Sequence, residues 1–302
     1  MKYLPIDKQL FINNRQRFDA LLKPKSIAIF NSNDIMPTSA DGARTFVQHS
    51  DIFYLSGIDQ EESILLCFPD APNPEHREIL FLKETNEHIA IWEGAKYSKK
   101  QAQEVSGVQT VLWLQDFESV FRSLVFDAEH IYLNTNEHSR AVVNVQTRDG
   151  RFINECKANY PLHKYERIAP LMHHLRAIKN ETEIALLQTA CDITNKGFRR
   201  VLNFVKDGVA EYEIEAEYIH EFIRNRSKGF SYEPIIASGK SACVLHYIEN
   251  NKICKDGEVI LMDVGAEYAN YAADMTRSIP VSGRFTKRQR AVYDAVLRVQ
   301  RA

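Results

Sequence analysis

Two aspartates, Asp263 and Asp274, lie in the run Val259-Ile260-Leu261-Met262-Asp263-Val264-Gly265-Ala266-Glu267-Tyr268-Ala269-Asn270-Tyr271-Ala272-Ala273-Asp274-Met275-Thr276-Arg277. The first interrupts an apolar, strand-like stretch, and the second follows a segment able to turn. A tight turn at 267–270 would set Asp263 directly opposite Asp274 in a hairpin. Like charges facing each other across a sheet are destabilising. At ~4 Å and an effective dielectric near 20 the repulsion is roughly 4 kcal/mol. A shared proton or a cation would relieve it. Oxygen-only donors on a rigid hairpin suit a hard divalent ion such as manganese or magnesium. The ordinary alternative is a pair of solvated aspartates, since Asp is mostly exposed. The apolar run at 259–262 argues against it.

Other elements must position that hairpin. Upstream, apolar runs at 26–30, 64–68, 79–82, 89–92, 110–114 and 131–133 read as strands. Helical spacing at 8–22 and 117–126 separates some of them, and the alternation is that of an α/β domain. The stretch 151–166 is polar and irregular, so domains are placed at 1–165 and 166–302. Asn180 with Glu183 three residues on forms a capping-box start for a long helix, which runs on toward Val205. A second helix runs from about Glu211 to Lys228. Lys255-Asp256-Gly257 is a turn that launches the Asp263 strand. Thr286 with Gln289 starts a last helix, and the sequence stops inside it at Arg301-Ala302 without Gly, Asn or Pro. That is the expectation for a piece of a longer protein.

Composition narrows the function classes. The 302 residues are 44% hydrophobic and 26% charged, ordinary for a soluble globular chain. A net charge of -2 gives no electrostatic case for nucleic acid or an anionic membrane. No signal-peptide core and no membrane span is visible. Cys67, Cys156, Cys191, Cys243 and Cys254 lack paired spacing, which points to reduced thiols and a cytoplasmic location.

The motifs Ser231-Tyr232-Glu233-Pro234-Ile235-Ile236-Ala237-Ser238-Gly239, Leu245-His246-Tyr247-Ile248-Glu249-Asn250, Asp256-Gly257-Glu258, Asp263-Val264-Gly265 and Ala273-Asp274-Met275-Thr276-Arg277 resemble the Xaa-Pro aminopeptidase (aminopeptidase P) family. Arg176-Ala177-Ile178-Lys179-Asn180-Glu181 resembles its entry into the catalytic domain. Phe53-Tyr54-Leu55-Ser56-Gly57 and Trp92-Glu93-Gly94 resemble its N-terminal domain. The resemblance implies an α/β N-terminal domain followed by the first half of an α+β pita-bread (creatinase/aminopeptidase-like) domain. It implies release of the N-terminal residue from peptides with proline in second position, by a metal-bridged hydroxide and usually with two manganese ions. Carried over, Asp263 binds one metal and Asp274 bridges both. His246 hydrogen-bonds the substrate or its developing oxyanion, and Tyr232 lines the metal site and the substrate. The family's other three ligands, one His and two Glu, lie beyond the hairpin, so residues 1–302 alone are expected to be inactive. The family often forms dimers or tetramers, so a homo-oligomer is expected.

Other residues carry less. His173-His174 reads as structural or exposed, Arg277 as paired with a nearby carboxylate, and Trp92 as a core residue at a strand end rather than an aromatic reaching a neighbouring subunit. The nearest enzymatic rival is a dipeptide-specific prolidase. The non-enzymatic rival is a metal-free pita-bread module that binds peptides or proteins, which has no reason to keep a repelling carboxylate pair.

Overall fold

A computed structural model describes residues 2–141 and 144–302. The chain forms two compact units, Pro5–Ile178 and residues 2–4 with Lys179–Ala302.

In the first unit six strands, β1 (Ser26–Asn31), β2 (Ile64–Cys67), β3 (Glu78–Leu82), β4 (Thr110–Trp113), β5 (His130–Leu133) and β6 (Lys164–Arg167), form one sheet in the order β4-β3-β2-β1-β5-β6. Only β2 runs against its neighbours. Successive side chains alternate between faces, and both faces are covered. Ala28, Phe30, Leu65 and Leu80 join one core layer, whereas Ile27, Ile29, Leu66 and Phe81 join the other. This explains the unbroken apolar runs of the central strands. Helices α1 (Gln9–Asp19), α2 (Ser50–Ser56), α3 (Glu87–Glu93), α4 (Lys99–Ser106), α5 (Phe117–Val125), α6 (Arg148–Asn159) and α7 (Ala169–Ala177) complete the unit.

Two expectations change here. The run Ile89-Ala90-Ile91-Trp92 is not a strand but most of α3, capped by Asn86, whose Oδ1 accepts from Ile89 N at 2.9 Å. Trp92 is therefore no core residue; it is 81% exposed. The unit also extends past residue 165, because Ile168, Met172 and Leu175 bury themselves in its first core layer.

The second unit holds helices α8 (Glu181–Leu202) and α9 (Glu211–Arg224), strands β7 (Gly229–Phe230), β8 (Ile235–Ser238), β9 (Val259–Val264), β10 (Ala266–Tyr268), β11 (Tyr271–Ala272) and β12 (Met275–Pro280), and helix α10 (Lys287–Arg301). The capping box at Asn180 and Glu183 starts α8 as expected. Helix α9 stops at Arg224, four residues short of Lys228. The helices α8 and α9 meet closely at Gly197, where an added Cβ would stand 2.8 Å from the Tyr218 ring. The strands form two three-stranded sheets, β12-β9-β8 and β11-β10-β7. Residues 2–4 lie against the tip of the hairpin, with the Tyr3 ring edge-on to Tyr268 and Leu4 N donating to the Tyr268 hydroxyl at 3.2 Å.

Candidate metal centre

The hairpin from β9 to β12 carries both aspartates, but its pairing is shifted by two residues from the expected one. Tyr268 pairs with Tyr271, and the turn residues Ala269 and Asn270 both take positive φ, 53° and 63°. That is the conformation of a two-residue type I′ turn. Glu267 stays in β10, paired with Gly229 of β7, and its carboxylate accepts from Asn270 N and Lys228 N. This pairing moves the turn outward. As a result Asp263 faces Thr276, not Asp274. Counting on from the Met275–Val264 pair puts Asp274 opposite Gly265. The two carboxylates are thus diagonal neighbours on one face of the sheet, still within side-chain reach.

Gly265 is where the hairpin passes from one sheet to the other. A Cβ there would meet the Ala273 carbonyl oxygen at 1.8 Å, so no side chain fits. Ser231 staples this crossing. Its N–H donates to Gly265 O at 2.8 Å, and its hydroxyl lies 3.1 Å from Gly265 O and 2.9 Å from Ala273 O.

The staple delivers the next residue, Tyr232, to the carboxylates. Its hydroxyl is 2.7 Å from Asp263 Oδ1 and 3.1 Å from Asp274 Oδ1. Burial pushes the Tyr232 phenol well above its ordinary range. The hydrogen bond to Asp263 and the charges of both aspartates push the same way. The phenol therefore keeps its proton, and one proton serves two acceptors. Tyr232 and Asp263 are half-buried, whereas Asp274 is exposed. The donor set is oxygen throughout, which fits a hard cation. Two carboxylates alone are a partial shell, and among the described residues no group of three or more His, Cys, Asp or Glu could hold a metal ion.

His246 lies in a turn and is exposed. Nothing places it beside the aspartates, but the loop around it is anchored. The Tyr247 hydroxyl donates to Glu211 Oε2 at 2.6 Å. Asn250 accepts from Ile236 N at 2.9 Å and donates to Pro234 O at 3.0 Å. Glu211 was not singled out in the sequence. It is fully buried at the start of α9 and also accepts from the Ser238 N–H, the Ser238 hydroxyl and Lys252 N. Arg277 donates to its neighbour's carbonyl, Thr276 O, at 2.8 Å.

Known proteins match along most of the chain. Residues 185–302 match metallopeptidase family M24, and residues 11–132 match the aminopeptidase P N-terminal domain. The chain is 31% identical over 294 residues to the Xaa-Pro aminopeptidase of Escherichia coli (strain K12), covering 97% of this chain and 66% of that protein. Among solved structures it is similar to the zinc-substituted E. coli aminopeptidase P in complex with product, with TM-score 0.85, 30% identity and coverage of 98% of this chain and 67% of that one. It is also similar to Pseudomonas aeruginosa aminopeptidase PepP, with TM-score 0.87, 27% identity and coverage of 97% and 66%. The chain thus spans 66% of the length of the E. coli relative. The expected architecture holds: an α/β N-terminal domain precedes part of a pita-bread domain. Among the described residues no helix is long and apolar enough to cross a membrane.

Proposed function

We propose, since this chain belongs to the aminopeptidase P family, that it carries the first carboxylate pair of a metal-dependent aminopeptidase acting on peptides with proline in second position. One observation carries the reading. The Tyr232 hydroxyl holds Asp263 and Asp274 together on one face of a hairpin that passes from one sheet to the other at Gly265. A non-catalytic binding module gains nothing from gathering two like charges. The dipeptidase alternative is not favoured, because the similar proteins are named aminopeptidases.

In this reading Asp263 and Asp274 would supply oxygen donors to manganese, Asp263 to one ion and Asp274 to both. When bound, such ions supply Lewis acidity toward the scissile carbonyl and make water nucleophilic near neutral pH. Tyr232 orients the carboxylates and keeps its own proton. His246, on its anchored loop, hydrogen-bonds the substrate or its developing negative oxygen. The Xaa-Pro bond lacks an N–H, so the site must grip the substrate by other groups. The five free cysteines support a cytoplasmic location. A homo-oligomer is part of the reading, and Ile91 and Trp92, 76% and 81% exposed, offer a surface that a second copy would cover.

The test is metal binding and peptide release together. Residues 1–302 should bind manganese weakly, lose it on Asp263→Asn or Asp274→Asn, and release nothing from an Xaa-Pro peptide. With the remaining donors supplied, a tripeptide should release its first residue in a chelator-sensitive way, faster than an Xaa-Pro dipeptide is cleaved. Release that survives chelation or either substitution sinks the reading.

A further inference from the structure

The first unit contains a second polar site, at the point where its sheet changes winding direction. The chain runs from β1 outward through β2, β3 and β4, and then β5 enters on the other side of β1, parallel to it. In open α/β sheets the crevice beyond the carboxyl ends of strands at such a switch point is where ligands bind. Here a cavity of about 400 Å³ opens there, lined by Asn33 beyond β1 and by Thr135 and Asn136 beyond β5. Its size falls within the usual range for small-molecule sites.

Its walls come from opposite faces of the sheet. Helix α6 packs on one face through Phe152 and Cys156, and α7 packs on the other through Met172 and Leu175. From α6 comes Asp149, whose Oδ1 accepts from Asn31 Nδ2 at 2.9 Å. Burial pushes its carboxyl up, against the Asn31 hydrogen bond and the charges of His49 and Arg148. From α7 come His173 and Arg176. One Arg176 nitrogen is 2.8 Å from Asp51 Oδ1, but the side chain is 40% exposed and a guanidinium has further donors. The floor is fixed in advance. Gln48 Nε2 donates to Ile58 O and Gln60 O, and its Oε1 accepts from His49 N. Preorganised polar groups bind with less ordering cost.

We infer that this cavity binds a free α-amino acid, its ammonium group on Asp149 and its carboxylate on Arg176 and His173. Two further carboxylates line the cavity, but Asp51 is held by Arg176 and by Asn134 Nδ2, and Glu137 by Arg167. An anion would still meet the Asp149 carboxyl, and a simple cation would leave the Arg176 wall unused. A small zwitterion satisfies both walls at once. The site is separate from Asp263 and Asp274, and nothing in it requires a metal.

Calorimetric titration of residues 1–302 with alanine, leucine, proline and glutamate tests this, in the presence of a chelator and repeated in Asp263→Asn. Saturable binding of at least one amino acid is expected, unchanged by Asp263→Asn. The tightest binder's amine and its carboxylic acid, each lacking the other charge, should bind about tenfold more weakly or worse. Asp149→Asn, which keeps the shape of the side chain, should weaken the amino acid to a similar degree. No saturation at millimolar concentration, equal binding of either one-charge analogue, indifference to Asp149→Asn, or loss on Asp263→Asn overturns the assignment.

Discussion

Glu211 and Asp19 are both carboxyl groups at helix ends, and they have opposite surroundings. Glu211 opens α9, where the positive end of the helix dipole favours a negative charge. It accepts four hydrogen bonds, from Ser238 N, the Ser238 hydroxyl, the Tyr247 hydroxyl and Lys252 N. Asp19 closes α1, at the unfavourable end, and its Oδ1 is buried without a hydrogen-bond partner. The cation that pulls against this burial, Arg15, is spent elsewhere: on Leu55 O, on Ser106 O and on Glu78 Oε2 at 3.0 Å. Burial, with the Glu78 charge adding to it, pushes the Asp19 carboxyl up to about 7, against the pull of Arg15. A buried acid is an anchor when donors converge on it and a liability when they do not.

The sharpest way to break this contrast is Glu211→Ala. It would strand buried donors at β8 and at the loop that carries His246. Each orphaned group costs about 1–3 kcal/mol, so the second unit should lose on the order of 4 kcal/mol in denaturant unfolding. Glu211→Gln should fall between, since its amide nitrogen would face Lys252 N or the Tyr247 hydroxyl. A loss below about 1 kcal/mol for the alanine variant would show that water replaces the missing carboxylate.

Asp19→Asn should do the reverse, and only above mildly acidic pH. The unfolded group titrates near 3.8 and the folded one at about 7. Between those values the native state holds a proton that the unfolded state has lost, so stability falls as pH rises, and levels off above about 7. The asparagine variant should therefore be more stable at pH ~8, by on the order of 3 kcal/mol. The gain should disappear toward pH ~4. A variant that shows equal gain at both ends would mean that burial of Asp19 is not what costs stability.

Sequence pattern revealed this chemistry unevenly, for physical reasons. Long apolar runs such as Ile27 to Phe30 announce a strand covered on both faces, and the Asn180 capping box announces α8. Four apolar residues at Ile89–Trp92 do not distinguish strand from helix. The deciding signal was Asn86, a cap three residues ahead. The hairpin was legible, but its register was not, because Glu267 is held in β10 by a strand distant in the sequence, β7. Glu211 gave no local sign of burial either. A glutamate in the first turn of an amphipathic helix resembles a solvated one, and its donors Ser238, Tyr247 and Lys252 come from later segments.

Asp263 and Asp274 fall between the two extremes, and Tyr232→Phe tests where. The pair has one phenolic proton for two carboxylates, 2.7 and 3.1 Å away, but Asp274 is exposed and water can supply what the phenol does not. Removing the hydroxyl should cost no more than about 1 kcal/mol of stability, far less than Glu211→Ala. Metal affinity should respond more strongly. A hydrogen-bonding partner that orients ligating carboxylates is typically worth about 10–100-fold in metal binding. Manganese titration of Tyr232→Phe in a protein with the full donor set should show that loss with little change in the unfolding midpoint. A large drop in stability with metal affinity unchanged would make Tyr232 an anchor of the Glu211 kind, and the proximity of the two aspartates a consequence of packing.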